Sequence, residues 1–279
     1  MSQPALLVGS KRRLIVHRTR GRRHGAITRL MSPSDLGEVL KPFVFLDLFD
    51  TEETSLSGLA LHPHSGIATV TLIQQGSVQY EDTTGVRGVL PQGGVEWFKA
   101  ARGAWHGGGP SESARTRGFQ LWLALPAEHE LGPVESIYLA PEALEREGAA
   151  LVLLGSYGDA KSPLSTPSPV NYLSVQLKSG EAWRYVPPAN HTVAWAALSR
   201  GSVAAPGQID AGELVTFDVS NEPIDFLATA DTELILGSAR PHPHELVLGQ
   251  YSVHTSPHSL IAGERRIGEI RARLRKEGR

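Results

Sequence analysis

The sequence predicts an all-β protein with two antiparallel modules in tandem and one short helix at the C-terminal end. Short apolar runs rich in β-branched residues recur along the 279 residues, and turn residues separate them. Glycine occurs 29 times and proline 19 times, which favours many short strands over long helices. The runs form two series, so we expect one domain over 1–140 and a second over 141–279.

Apolar or alternating runs, bounded by turn residues and prolines, give the expected strands. The first series predicts strands at 41–49, 68–74, 77–82, 86–90, 95–100 and 119–125. The second series predicts strands at 171–177, 192–198, 201–203, 213–219, 224–228 and 234–237. Proline at the start and glycine at the end of 141–148 predict a short helix between the series. The apolar residues of 260–276 lie at helical spacing and predict an amphipathic helix that docks on a domain.

Composition narrows the range of functions. The formal net charge is −2, so the overall charge calls for neither nucleic acid nor an acidic membrane. The chain has no cysteine, which excludes disulfides, thiolate ligands and cysteine nucleophiles. No apolar run approaches the roughly 18 residues that span a bilayer, and residues 1–9 lack the order of a secretory signal. We therefore expect a cytoplasmic protein without a membrane partner.

The segment from Lys11 to Arg23 is dense in basic residues. A nucleic-acid-binding patch is one interpretation, but no aromatic residue interleaves the charges and apolar residues interrupt them. We expect a solvated, strand-forming segment instead.

His62 and His64 form the pair that is most informative about chemistry. Side chains at i and i+2 of a strand point to the same face, so both imidazoles face one point, and His106 follows as a third. Three imidazoles suit Zn, Fe, Cu or Ni. A solvated loop edge is the alternative for a His-x-His pair taken by itself.

The motifs around these histidines resemble those of cupins, and in their wider order those of the pirin family. Gly58 with His62-Pro63-His64 resembles the first cupin motif, and Pro91 and Gly93 with His106 resemble the second. The pirin-like segments occur in order and cover roughly residues 10 to 130. They are Pro42-Phe43-Val44-Phe45-Leu46-Asp47, Gly93-Gly94-Val95-Glu96-Trp97, Ala101-Arg102-Gly103-Ala104-Trp105-His106 and Gln120-Leu121-Trp122-Leu123-Ala124-Leu125-Pro126.

The resemblance implies a bicupin of two jelly-roll β-barrels, with metal ligands only in the first. It implies iron as the usual metal, held by His62, His64, His106 and a glutamate two residues after the third histidine. That position is Gly108 here, and Ala68 stands where the cupin pattern has a second carboxylate. Glu81, Glu96 and Glu112 are candidate substitutes. Zn, Ni, Mn or Cu are alternatives to Fe. A degenerate site that binds no metal is the last alternative.

Two further histidine clusters need a separate interpretation. Pro241-His242-Pro243-His244 repeats the His-Pro-His pattern, but its prolines disfavour ladder pairing, so we expect a surface connection. His254 and His258 precede the final helix and are expected to be solvated or capping residues.

Two functions remain open at this stage. Some pirins cleave flavonols such as quercetin with O2, which implies a quercetin 2,3-dioxygenase-type enzyme with a small aromatic substrate. Trp97, Trp105 and Phe119 are then candidates for the pocket walls, although core packing is the commoner use of such residues. The lost carboxylates favour the alternative, a non-enzymatic regulatory bicupin that binds a small ligand or a regulatory protein partner.

Overall fold

The computed structural model describes residues 12–52, 60–109, 113 and 115–278. The first half contains the short helix α1 (Leu36–Leu40) and most of the strands that surround the histidines. Its strands are β1 (Ile15–Thr19), β2 (Arg22–His24), β3 (Ile27–Met31), β4 (Phe43–Thr51), β5 (His62–His64), β6 (Ile67–Gln75), β7 (Val78–Asp82), β8 (Arg87–Leu90), β9 (Val95–Lys99), β10 (Ala104–Gly109), β11 (Thr116–Ala124) and β12 (Glu135–Leu139).

The second half continues with shorter strands and ends in the long helix α2 (Pro257–Lys276). Its strands are β13 (Arg146–Glu147), β14 (Ala150–Leu154), β15 (Ser156–Tyr157), β16 (Ala160–Lys161), β17 (Val170–Leu177), β18 (Ala182–Tyr185), β19 (Val193–Arg200), β20 (Ser202–Ala204), β21 (Gln208–Asp210), β22 (Leu214–Phe217), β23 (Ile224–Ala228), β24 (Thr232–Ala239), β25 (Val247–Leu248) and β26 (Val253–His254).

The strands form two similar pairs of antiparallel sheets, which confirms the predicted all-β fold with two jelly rolls. In the first pair, a seven-stranded sheet of order β12-β9-β6-β11-β4-β3-β2 accompanies a four-stranded sheet of order β5-β10-β7-β8. In the second, the orders are β1-β22-β19-β24-β17-β14-β13 and β18-β23-β20-β21. Among the described residues, no helix combines the length and apolar character that a bilayer crossing requires.

One large apolar core joins the two barrels. It contains residues from the seven-stranded sheets of both, and Phe43 of β4 meets Trp195 of β19 edge-on with ring centroids 5.4 Å apart. Neither ring has measurable solvent exposure. Burial of large side chains from both sheets is the main stabilising term at this interface.

The interiors of the two barrels differ in chemistry. The second is filled by an apolar cluster that includes Trp183, Tyr185 and Phe226. The first has several smaller apolar clusters, around Phe49, Trp122 and Phe98, and buries His64, Glu96 and His106 beside them. Space for a ligand is therefore found in the first barrel.

Each end of the chain pairs with the barrel built mainly by the other half. β1 hydrogen-bonds with β22, so the N-terminal strand extends the second barrel's large sheet. Helix α2, at the other end of the chain, packs on the first barrel, against Trp105 of β10. The division at residue 140 stays a prediction, and these two terminal contacts cross it.

The predicted helix over 141–148 is wrong. Pro141–Ala143 forms a single 3-10 turn, and β13 then pairs with β14 as a hairpin around Gly148, whose φ is 54°. Positive φ is the glycine conformation of a tight turn, so this glycine closes a hairpin rather than a helix. The predicted C-terminal helix is confirmed, with Ser256 as its N-cap.

The basic N-terminal segment forms strands, as predicted, but it is not solvated throughout. Arg13 is fully buried and donates from Nε to the Asp218 carbonyl oxygen at 2.8 Å. The other described basic residues of the segment are exposed.

Truncation of Phe43 tests the shared core. We expect Phe43→Ala to lower the free energy of unfolding by about 3–5 kcal/mol, because it leaves a cavity against Trp195. Val39→Ala on the exposed face of α1 is the control and should stay within about 0.5 kcal/mol of the parent. Chemical denaturation measures both, and a Phe43→Ala loss no larger than the control's would contradict a joint core.

Candidate metal centre

Strand pairing brings the three histidines of the first barrel together. β5 and β10 are antiparallel neighbours, and His62 lies opposite His106 in their register. His64 lies on the same face as His62 because side chains in a strand alternate. The potential ligand atoms of the three residues all lie within 4.8 Å of one another. They could therefore hold a single metal ion.

Each imidazole is oriented through its Nδ1 atom. His62 Nδ1 lies 2.7 Å from the carbonyl oxygen of Ala60, and His64 Nδ1 lies 3.0 Å from that of Tyr251. A carbonyl oxygen only accepts, so both histidines carry their proton on Nδ1. His106 Nδ1 lies 2.8 Å from Oε1 of Glu96. This arrangement leaves the Nε2 lone pairs free for a metal.

The Nε2 atoms of the histidines are available to coordinate a metal ion. Nε2 of His64 and Nε2 of His106 are buried and have no hydrogen-bond partner among the described residues. Burial, with a smaller contribution from His106, lowers the pKa of His62 to about 4. Burial also lowers the pKa of His64 well below its usual value. Both rings are therefore neutral near pH 7, as metal ligands must be.

Glu96 stands behind His106 rather than among the ligand atoms. Its Oε1 accepts from His106, and its Oε2 accepts from Thr71 Oγ1 at 2.5 Å. Burial raises the pKa of Glu96, but the opposing interactions with His106 and Thr71 outweigh it, and the net pKa lies below the usual value. The carboxylate is ionised and holds the His106 ring, as outer-shell carboxylates do in many metal sites.

Glu81 is not among the residues that could supply a fourth ligand. Glu81 lies on the exposed face of β7, opposite Gly107. Glu112 lies outside the described residues. Alternation along β10 puts Gly108 on the face of His106, so the position can direct no side chain to the centre. Ala68 is buried on β6.

A hydrogen-bonded chain continues from Glu96 to the barrel wall. Tyr138 Oη lies 3.4 Å from Oε1 of Glu96 and 3.0 Å from Oδ2 of Asp82. The Tyr138 ring stacks on Tyr80 with centroids 3.5 Å apart. Burial raises the pKa of the Tyr138 phenol, so it keeps its one hydroxyl hydrogen, and the shorter of the two contacts directs that hydrogen to Asp82.

A small cavity adjoins the histidines. Aromatic and polar side chains share its wall, together with the backbone of Gly107 and Gly108. The side chains that line it are Phe49, His62, Thr71, Val78, Gln79, Tyr80, Leu90, Glu96, His106, Gln120 and Tyr138.

The structure places Trp97, Trp105 and Phe119 away from this cavity. Trp97 and Phe119 lie in the core that joins the barrels, and Trp105 packs against α2. Each immediately follows or precedes a residue that lines the cavity: Glu96, His106 and Gln120, respectively. Strand alternation therefore turns all three to the opposite face. The aromatic residues that do line the cavity are Phe49, Tyr80 and Tyr138.

A second depression lies on the other side of His62. Trp122 stacks on Phe45 with centroids 3.9 Å apart, and the Arg29 guanidinium lies 3.9 Å from the centre of the Phe45 ring. Arg29 also pairs with Asp47. Phe49, His62 and Gln120 line both depressions, so the two adjoin each other.

The other histidines agree with expectation only in part: the segment 241–244 is a surface connection in which three of four residues are exposed, but its His242 is not. His254 is buried, not solvated, with Nε2 2.9 Å from Ser65 Oγ. His258 is exposed, as expected. His242 lies outside any strand, but its ring is buried with Nε2 3.3 Å from the Leu125 carbonyl oxygen, so it is no surface residue.

Removal of the charge behind His106 tests this geometry. We expect Glu96→Gln to weaken Co²⁺ or Zn²⁺ binding by about 10- to 100-fold, because an uncharged amide polarises and orients His106 less. Glu142→Gln makes the same change at an exposed position and should leave affinity unchanged. Titration against a competing chelator measures both, and equal affinities for the two variants would refute the role of Glu96.

Comparison with known proteins agrees with this architecture. The sequence model of the pirin family matches residues 24–123. A Pseudomonas aeruginosa protein named "Putative quercetin 2,3-dioxygenase PA2418" is 31% identical over 231 residues, covering 77% of this chain and 80% of the relative.

Solved structures show the same fold. A quercetin 2,3-dioxygenase from Acinetobacter baumannii superimposes with a TM-score of 0.84 at 22% identity, covering 93% of this chain and 98% of that one. The pirin YhhW from Escherichia coli, solved in complex with nickel(II), gives a TM-score of 0.61 at 18% identity, covering 82% and 98%. The family match, the extended similarity to the Pseudomonas protein and the shared fold together show that this chain belongs to the pirin family.

Proposed function

We propose that this pirin-family protein holds one divalent metal ion on His62, His64 and His106 and cleaves a flavonol-like substrate as a quercetin 2,3-dioxygenase. The observation that carries the proposal is the pair of buried, unpartnered Nε2 atoms on His64 and His106 beside a cavity. Buried polar atoms without partners are uncommon in folded proteins. A metal ion at this point would satisfy both.

The ligand chemistry and the relatives together suggest which metals to test first. Three neutral imidazoles suit Fe, Zn, Ni or Cu, and Mn is a further alternative. Iron is our first choice because of the family resemblance, and the nickel complex of YhhW supports nickel as an alternative. When bound, the ion would supply a Lewis-acid centre that binds and orients the oxygens of the substrate and O2.

Residues of the chain would orient the metal ligands and form the wall of the substrate cavity. Glu96 holds His106 through Nδ1, and the Ala60 and Tyr251 carbonyl oxygens hold the other two rings. The stacked Tyr80 and Tyr138 give the cavity a flat aromatic wall, which suits a planar aromatic substrate. The apolar Phe49 and Val78 reduce the access of water to the reacting atoms.

The second candidate function is a non-enzymatic regulatory or ligand-binding bicupin. Gly108 and Ala68 favour it, because without carboxylates at these positions the ligands cancel none of the ion's charge and hold it less tightly. In this function the cavity would bind a small aromatic ligand without turnover, or the surface of the protein would bind a regulatory protein.

Turnover separates the two functions. Protein reloaded with Fe, Mn, Ni or Cu should consume quercetin and O2 together, and His106→Ala should reduce the rate to the background of free metal. Absorbance and an oxygen electrode record the two reactants. If none of the four metals supports turnover while the protein still binds quercetin, the regulatory function is favoured instead.

Restoration of the carboxylate tests the charge argument. Gly108 lies within strand β10, paired with β7, and the extended backbone of a strand accepts a side chain. We expect Gly108→Glu to strengthen metal binding by at least the roughly tenfold that an outer-shell partner contributes. Gly268→Glu, at an exposed position of α2 with no neighbour within 4 Å, is the control. Competition with a chelator gives both affinities, and no gain for Gly108→Glu would show that charge does not limit binding.

A further inference from the structure

The segment that leads into α2 lies directly against the strand of His64. The carbonyl oxygen of Tyr251 accepts from His64 Nδ1, across 187 residues of sequence. Ser252 forms a parallel bridge with Ser65, and the Val253 amide donates to the Ser65 carbonyl oxygen at 3.2 Å. Residues 251–254 therefore act as a backbone partner for the strand end that carries His64.

A buried polar network reinforces this contact. The Ser65 hydroxyl lies 2.9 Å from Ser252 Oγ and 2.9 Å from His254 Nε2. On the other side of the His254 ring, Nδ1 lies 3.5 Å from Oε2 of Glu130. Glu130 also accepts from the amide of Thr255 at 2.8 Å and from its hydroxyl at 3.0 Å. The network joins the end of β5, residues 252–255 and the loop after β11.

The order Ser65–His254–Glu130 matches that of a nucleophilic triad, but burial argues against that function. Ser65 has no exposed surface, and His254 and Glu130 are 1% and 3% exposed. A nucleophile must meet a substrate atom, whereas these side chains meet only protein. Buried networks of this kind fix the position of the groups they join.

Helix α2 closes the network at Gly263. A Cβ atom at this residue would overlap Ser65 Oγ and lie 2.8 Å from His254 Nε2, so only glycine lets the helix backbone approach this closely. The helix also braces the other strand of the site, because Trp105 Nε1 donates to the Ile267 carbonyl oxygen at 3.2 Å. One helix thus supports both β5 and β10.

We propose that the C-terminal segment from Tyr251 to Gly263 is part of the metal centre, with Ser65, His254 and Gly263 as positioning residues for His64. Docking of α2 holds the His64 ring with its proton on Nδ1 and its Nε2 toward the other histidines. Metal affinity therefore depends on contacts made by residues that lie far along the chain from the three histidines. The inference rests on the proposed metal site.

Two glycine substitutions in one helix test the inference. Gly263→Ala forces α2 away from Ser65, whereas Gly268→Ala adds the same atom where nothing lies within 4 Å. We expect Gly263→Ala to weaken Co²⁺ binding by about 10- to 100-fold, the range of outer-shell partners, and Gly268→Ala to leave it within about twofold. Ser65→Ala removes the hydroxyl at the centre of the network and should also weaken Co²⁺ binding. This variant tests the inference if Gly263→Ala does not fold.

A second readout uses the metal-free protein. Nitrogen-15 NMR of the histidine rings should show His64 protonated on Nδ1 in the parent and in Gly268→Ala, and a mixture of tautomers in Gly263→Ala or Ser65→Ala. Folded variants with parental affinity and parental tautomer would overturn the inference. If the parent binds no Co²⁺, the proposed metal site fails, and the tautomer alone decides whether the segment positions His64.

Discussion

The antiparallel pairing of β5 with β10 is the constraint on which the candidate centre depends. It sets His62 opposite His106, and strand alternation then adds His64 to the same group. A slip of one residue in this pairing would turn the histidines toward opposite faces. The elements around the pair, β7 beside β10 and helix α2 across both strands, keep that register.

Placing three imidazoles in a barrel interior costs free energy, because buried polar atoms need hydrogen-bond or metal partners. Each Nδ1 has a partner, yet the Nε2 atoms of His64 and His106 have none among the described residues. An unsatisfied buried polar atom costs about 1–3 kcal/mol. The second barrel has no such group of histidines in its described part and is filled by aromatic side chains such as Trp183 and Phe226. The first barrel gives up part of this packing for a cavity beside the histidines.

Much of this could be predicted from sequence because the relevant patterns are local. The strands and the His-x-His pair follow from periodicity and motif. The same alternation, applied to Trp97 and Phe119, would have turned them away from the cavity, since each neighbours a lining residue. The burial of His254 could not be predicted, because its partner Ser65 lies 189 residues away. Long-range contacts of this kind depend on how α2 docks, which no local pattern specifies.

The metal content of the purified protein tests the central claim most directly. Elemental analysis should find about one divalent ion per chain after the protein has been loaded with iron or nickel and desalted, as expected for one closed set of ligands. A chelator should remove the ion, and the triple variant His62→Ala, His64→Ala, His106→Ala should retain none. Equal metal content in the parent and the triple variant, or none in either, would contradict the account.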